Sequence, residues 1–250
     1  MGLDATIQVA GDLSQWIDAA VDLILDHATV ALKERGRFTI SLAGGNTPKQ
    51  VYEAMAGDER VQALDWTKII VLFGDERCVP EADPASNAGM ATAALLNHVP
   101  LPPENLKRML GELEPFEAAQ RYEATLKEVL GGDPGSGEAP EVPLDLSLLG
   151  LGGNGHTASL FPGLTWSVLP DRWVTAEYVE VMTSWRMTLT PLVLNAARQT
   201  VFLVEGEAKR DVVAQVLQGP SDPVVLPSQN IKGALWLLDT AASAGLTKKD

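Results

Sequence analysis

His156 stands in the run Leu149-Gly-Leu-Gly-Gly-Asn-Gly-His-Thr-Ala-Ser-Leu-Phe-Pro-Gly163, and its side chain is the type that exchanges protons near neutral pH. The apolar stretch ahead of it, Asp145-Leu-Ser-Leu-Leu149, reads as a buried strand bounded by turn residues. Gly150, Gly152, Gly153 and Gly155 then let the backbone take positive φ and come close to a ligand. The pattern predicts a short helix at Thr157–Phe161, whose first N–H groups would face an anion. An imidazole beside a phosphate is the chemistry this arrangement suits. A plainer reading stands next to it: glycine turns follow many strands, and a lone histidine is more often packed or solvated than catalytic.

Two further segments repeat the geometry. Arg37–Ala43 reads as a strand that breaks at Gly44-Gly45-Asn46-Thr47-Pro48, with Thr47 expected to cap a helix whose first residue is Pro48. Lys68–Phe73 reads as another, ending in Gly74-Asp75-Glu76-Arg77, where charged residues fit a site better than a core. Lys209 falls in the first turns of a predicted helix, Glu207–Leu217, where the helix dipole favours acids, so its charge is available to an anion.

The elements that must position these residues alternate. Asp12 and Gln15 form a capping-box signature ahead of a long amphipathic helix that runs to Gly36 and carries His27. Ser86 is expected to cap a helix Asn87–His98, Lys107–Leu110 to be a short strand, and Phe116–Leu130 to be helical. Gly131–Pro143 is the expected mobile loop. Trp173–Val179, Arg186–Thr190, Thr200–Val204 and Ala234–Asp239 read as strands, and Pro191–Ala197 as a helix begun by proline. The fold class expected is α/β: a mainly parallel sheet with helices on both faces, Rossmann-like, in one domain over residues 1–250. Ligands of such folds sit at the carboxyl ends of the strands, where the three glycine- and charge-bearing segments converge.

Composition narrows the partners. With 33 acidic against 19 basic residues the chain carries a formal charge of −14, which argues against nucleic acid or an anionic membrane as the main partner. An anionic ligand therefore needs a local positive site. The single cysteine, Cys78, forbids an internal disulfide framework, and the three histidines lie too far apart in sequence to suggest a metal clamp. Neither an export signal nor a run long enough to span a membrane is read, so a cytoplasmic protein is expected.

Taken together, Leu42–Pro48, Phe73–Pro80 with Ser86-Asn87, Leu149–Gly163, Arg186–Pro191 and Gly206–Lys209 resemble the 6-phosphogluconolactonases. Their superfamily also holds glucosamine-6-phosphate deaminase and ribose-5-phosphate isomerase. The resemblance implies hydrolysis of 6-phospho-D-glucono-1,5-lactone, the second step of the oxidative pentose phosphate pathway, with neither metal nor other cofactor. It implies a phosphosugar lactone as the small-molecule partner, and leaves open a transient contact with glucose-6-phosphate dehydrogenase. His156 is then general base and later acid, while Asp75 positions the imidazole, the water or the sugar hydroxyls, or is simply a turn cap. The phosphate is expected at Arg186 and Lys209 with Arg77 nearby, although an ion pair of Arg77 with Asp75 or Glu76 competes. Backbone N–H groups of Gly44, Gly45 and Asn46 line the same pocket, with Thr47 and Asn154 completing the expected binding set.

Two positions depart from the family pattern. Asn46 stands where serine is frequent, and Asn154 where an acid is frequent, which removes a negative charge near His156. The rival readings are a deaminase-like sugar-phosphate isomerase, for which the family pattern has Asp-Glu-Tyr in place of Asp75-Glu76-Arg77, a non-catalytic sugar-phosphate sensor, and a scaffold that binds the preceding dehydrogenase.

Overall fold

The computed structural model describes residues 3, 5–164 and 171–247. Helix α1 (Leu13–Arg35) starts at the capping box that the sequence predicts: Asp12 accepts from the Gln15 N–H at 3.1 Å and Gln15 Oε1 accepts from the Asp12 N–H at 3.0 Å. Gly36 ends it with φ +71°, and Trp16, Ala20, Ile24, Ala28 and Ala31 form its buried stripe.

Six strands, β1 (Thr6–Ala10), β2 (Phe38–Leu42), β3 (Ile69–Phe73), β5 (Leu146–Leu149), β8 (Thr200–Val204) and β9 (Leu235–Asp239), make a sheet ordered β1-β9-β8-β5-β2-β3. Every adjacent pair in it is parallel. Such a sheet is covered on both faces, which is why β3 and β8 are apolar runs rather than alternating ones. One face packs Leu72, Leu149, Phe202 and Trp236 against α5 (Pro115–Leu130) and α7 (Arg210–Gln218). The other packs Ile40, Val71, Leu148 and Val201 against α1, α2 (Asn46–Ala56) and α4 (Asn87–Ala94).

From β2 the strand order runs one way to β3, and from β5 it runs the other way to β8 and β9. The reversal between β2 and β5 is where a crevice opens at the carboxyl ends of an open α/β sheet.

The strands on either side of residue 180 do not join this sheet. β6 (Val174–Val179) and β7 (Ser184–Leu189) pair antiparallel and combine with β4 (Asp75–Arg77) in a separate sheet ordered β4-β7-β6. The chain leaves the main sheet at Gly74, whose N–H donates to the Leu42 carbonyl and whose carbonyl accepts from Leu189. The small sheet thus carries β4 and β7 to the edge of the crevice.

Several local expectations need correction. Residues 157–160 form a tight turn closed by the Leu160 N–H on the Thr157 carbonyl, not a helix, because Gly155 and Ala158 take positive φ (79° and 47°). α4 stops at Ala94 and residues Leu96–His98 form a separate 3-10 turn. Lys107 donates its N–H to Val71 beside β3, and only a single bridge at Leu106 takes the place of the expected strand. Outside these corrections, one contact of the 131–143 loop is with Trp173, whose indole N–H donates to the Glu138 carbonyl at 2.8 Å.

Candidate active site

A cleft of about 520 Å³ occupies the crevice. Its walls come from the ends of β2, β5 and β8 and from β4 and β7 of the small sheet, so the three segments singled out in the sequence meet there. His156, Asp75, Gly44, Gly45, Asn46, Thr47, Arg77, Arg186 and Lys209 all line it. Asn154 alone of the expected residues does not.

Asn154 instead holds the imidazole. Its Oδ1 accepts the His156 backbone N–H at 3.3 Å and lies 2.5 Å from His156 Nδ1. Because a backbone N–H can only donate, the amide oxygen is the atom presented there, and an oxygen requires Nδ1 to carry the ring proton. Nε2 keeps its lone pair. The ring is stacked on Phe161 at a centroid distance of 4.0 Å, and the Arg186 guanidinium lies 5.6 Å from the same phenyl ring. Burial lowers the pKa of His156 to about 4, with Arg186, Lys209 and Arg77 adding to the effect, so the imidazole is neutral at pH 7.

Gly152 makes room for that ring. A Cβ there would lie 2.0 Å from the imidazole, so the glycine is set by the approach of His156.

Asp75 is buried at the start of β4, and its two oxygens are engaged: Oδ1 accepts from Asn87 Nδ2 at 3.0 Å and Oδ2 from the Ser159 hydroxyl at 2.6 Å. Asn87 also donates to the Asp75 carbonyl at 2.9 Å. Ser159, in the 157–160 turn, is thus a donor to a carboxylate. The groups that fix Asp75 and the group that fixes His156 are therefore separate.

Arg77, Arg186 and Lys209 bond to carbonyl or hydroxyl oxygens. Glu76, the sequence neighbour expected to compete for Arg77, spends its oxygens on the N–H groups of Arg77, Asn87 and Ala88 and on the Ser86 hydroxyl, capping the start of α4. Arg77 donates to the Ala85 carbonyl, Arg186 to Ser184 Oγ at 3.3 Å, and Lys209 Nζ to the Leu151 carbonyl at 2.7 Å. Among the described residues none of the three has an acidic partner within 4.0 Å. In a chain of charge −14 such a group of cations marks the local positive site that the composition demands.

Helix α2 adds to that field. It begins at Asn46, with Gly45 (φ +98°) as its N-cap and no side-chain cap, whereas Thr47 had been expected to cap it. The Thr47 hydroxyl turns instead to Glu205 Oε1 at 3.1 Å. The first N–H groups of the helix are left for a ligand. Gly44 is fixed by its neighbour: a Cβ would stand 1.8 Å from Asn87 Oδ1. Lys209 ends a 3-10 turn, Glu207–Lys209, just ahead of α7 rather than lying inside the helix.

A family model described as glucosamine-6-phosphate isomerases/6-phosphogluconolactonase matches residues 11–237. The chain belongs to that family. Its 6-phosphogluconolactonase relative from a Nostoc species is 40% identical over 97% of this chain and 98% of the relative. The 6-phosphogluconolactonase of a Synechocystis species is 39% identical over 92% of this chain and 93% of its own. Among solved structures, 6-phosphogluconolactonase from Leishmania guyanensis superposes with a TM-score of 0.81 at 30% identity, covering 98% of this chain and 99% of that one.

Within this isomerase/lactonase family member, four residues in or behind the cleft wall were given no part by the sequence reading. Asn87 and Ser159 hold Asp75, Phe161 stacks on His156, and Glu205 supplies a second carboxylate. Glu205 had a detectable signal, since it sits between the apolar run of β8 and Gly206, at the same carboxyl edge where Asp75 follows β3 and Gly74. The other three are revealed only by the turn at 157–160 and by the departure of β4 from the main sheet.

Proposed function

We propose that the protein hydrolyses 6-phospho-D-glucono-1,5-lactone to 6-phosphogluconate, acting as the lactonase of the oxidative pentose phosphate pathway. The observation that carries the reading is the coexistence, in one cleft, of a neutral imidazole that keeps its lone pair on Nε2 and three cations that have no acidic partner within 4.0 Å among the described residues. The names of its relatives at 39–40% identity support the same substrate.

In this reading the substrate phosphate lies against Arg186, Arg77 and Lys209, and the N–H groups at the start of α2 help to bind it. His156 Nε2 removes a proton from water as the oxygen attacks C1. The carbonyl pair of electrons moves to oxygen, and this tetrahedral oxyanion collapses with cleavage of the bond from C1 to the ring oxygen. The proton held on Nε2 passes to that leaving oxygen, and the new acid ionises. Asn154 keeps Nδ1 protonated throughout and so keeps Nε2 as the exchanging atom. Asp75, fixed by Asn87 and Ser159, is placed to accept sugar hydroxyls or orient the water.

The test follows decay of freshly prepared lactone above its spontaneous hydrolysis, with His156→Ala beside the unaltered protein. Acceleration that disappears in the variant is expected. Binding of 6-phosphogluconate without acceleration would replace the enzyme by a sensor. Ammonia release from glucosamine 6-phosphate would assign the chain to the isomerase side of its family.

A further inference from the structure

Glu205 is a carboxylate in an anion cleft, and no step of the proposed reaction uses it. It directly follows β8 and shares the cleft wall with Lys209 and the first turn of α2. Its Oε1 takes the Thr47 hydroxyl at 3.1 Å, bridging from the end of β8 to the 11-residue α2, whose own residues supply no cap. Its charge also reaches Lys209, where it opposes the lowering of that ammonium's pKa by burial. Lys209 nevertheless does not close on it as an ion pair within 4.0 Å among the described residues, and its ammonium donates to the Leu151 carbonyl at 2.7 Å. Glu205 therefore stands between two positive features without being neutralised by either.

We propose that Glu205 is a specificity-determining residue that weakens the hold on the ligand's anionic groups, its carboxylate occupying the α2 end of the cleft as an internal anion. A ligand dianion must share that end with a fixed negative charge and must recruit a Thr47 hydroxyl already in use. This inference rests on reading the cleft as the phosphosugar-lactone site and goes one step beyond it. Ester hydrolysis turns a neutral lactone into a carboxylate, so the product carries one more negative charge than the substrate. A fixed acid in the cleft disfavours the product more than the substrate and speeds its departure. A unit charge facing a dianion at roughly 6–8 Å in a half-buried site is enough to change affinity about tenfold.

Calorimetric titration of the intact protein with inorganic phosphate and with 6-phosphogluconate tests this in Glu205→Gln, Glu205→Ala and Glu205→Asp. The first two are expected to bind inorganic phosphate about tenfold more tightly than the unaltered protein, and 6-phosphogluconate at least as much more tightly. The aspartate variant, which keeps the charge, is expected within about twofold of the unaltered protein, and either neutral variant suffices should the other fail to fold. Unchanged or weaker phosphate binding in the neutral variants overturns the assignment, as does a failure of phosphate to bind any of the proteins. Tighter binding without lactone hydrolysis in the unaltered protein would leave Glu205 in this role and remove the reaction. Hydrolysis with unchanged affinities would do the reverse.

Discussion

Arg77 and Arg186 stand directly opposite one another in the antiparallel β4–β7 pair, two guanidinium side chains at one register position, with Glu177 facing Arg186 from β6 on the other side. Like charges directly opposed across a ladder destabilise a sheet. Arg77 Nε is buried without a hydrogen-bond partner, and burial together with Arg77 lowers the pKa of the Arg186 guanidinium. If the substrate phosphate lies between these two guanidinium groups, as proposed above, it offsets their mutual repulsion, and ligand binding and stability are then linked.

That linkage can be measured by thermal unfolding. Saturating phosphate, at about a hundred times its dissociation constant, should stabilise the protein by about 2.7 kcal/mol. Arg186→Met should remove most of this shift, leave the free protein no less stable, and cost about 2–4 kcal/mol in kcat/KM. A variant markedly less stable without ligand would show that the guanidinium is there for packing instead.

The pH dependence follows from the lowered pKa of His156. The base must be unprotonated, so kcat/KM, which reports the free enzyme, should stay level below the usual histidine range and fall only as the pH drops through about 4. A bound phosphate dianion offsets the positive charge of Arg186, Lys209 and Arg77, so the acid limb of kcat should lie at higher pH than that of kcat/KM. Coincident limbs near the ordinary histidine value would mean that neither burial nor the cations act on the imidazole.

Asn154 invites a pair of substitutions. Asn154→Ala removes the acceptor that selects the Nδ1–H tautomer, and a loss of about 1–2 kcal/mol in kcat with little change in KM is expected. Asn154→Asp keeps the acceptor and adds a negative charge, which favours the imidazolium and should move the acid limb upward. An equal loss in both variants, with an unmoved pH profile, would reduce Asn154 to a turn residue.

Much of the site was legible in the sequence because parallel strands announce themselves as apolar runs and end in glycines at a common edge. The segments ending at Gly44-Gly45, Asp75-Glu76-Arg77 and Gly153–His156 are legible as meeting at that edge, and Gly44, Gly45, Asp75, Arg77, Gly153 and His156 line one cleft. What was hidden depends on tertiary pairing. Nothing in Asp75-Glu76-Arg77 says that three charged residues form a strand, because it is β7 that supplies the partner. Thr47 has the composition of an N-cap, yet a glycine at φ +98° caps the helix two residues earlier and frees the hydroxyl for Glu205, a residue 158 positions away. The helix expected after His156 failed for a related reason. Ser159 follows Ala158, which adopts φ +47°, and its hydroxyl goes to Asp75 across the cleft wall, an interaction no helical periodicity encodes.

Two glycines separate the two halves of the site in a single experiment. Gly152→Ala would thrust a methyl group to within 2.0 Å of the imidazole, and Gly44→Ala would bring one to 1.8 Å from Asn87 Oδ1. Neither contact can be relieved without moving the neighbour, since both glycines lie on backbone that strands β5 and β2 fix at one end. Each substitution should cost about 1–3 kcal/mol of stability. Their catalytic signatures should differ. Displacing His156 removes the base, so Gly152→Ala should lower kcat about a hundredfold while inorganic phosphate still binds. Displacing Asn87 leaves the imidazole in place but loosens Asp75, which Asn87 holds through both its carboxylate and its carbonyl, so the pH profile of Gly44→Ala should keep its acid limb near pH 4. Identical profiles in the two variants would show that both act through the same group, and the separation of Asp75 from His156 drawn from their hydrogen bonds would be wrong.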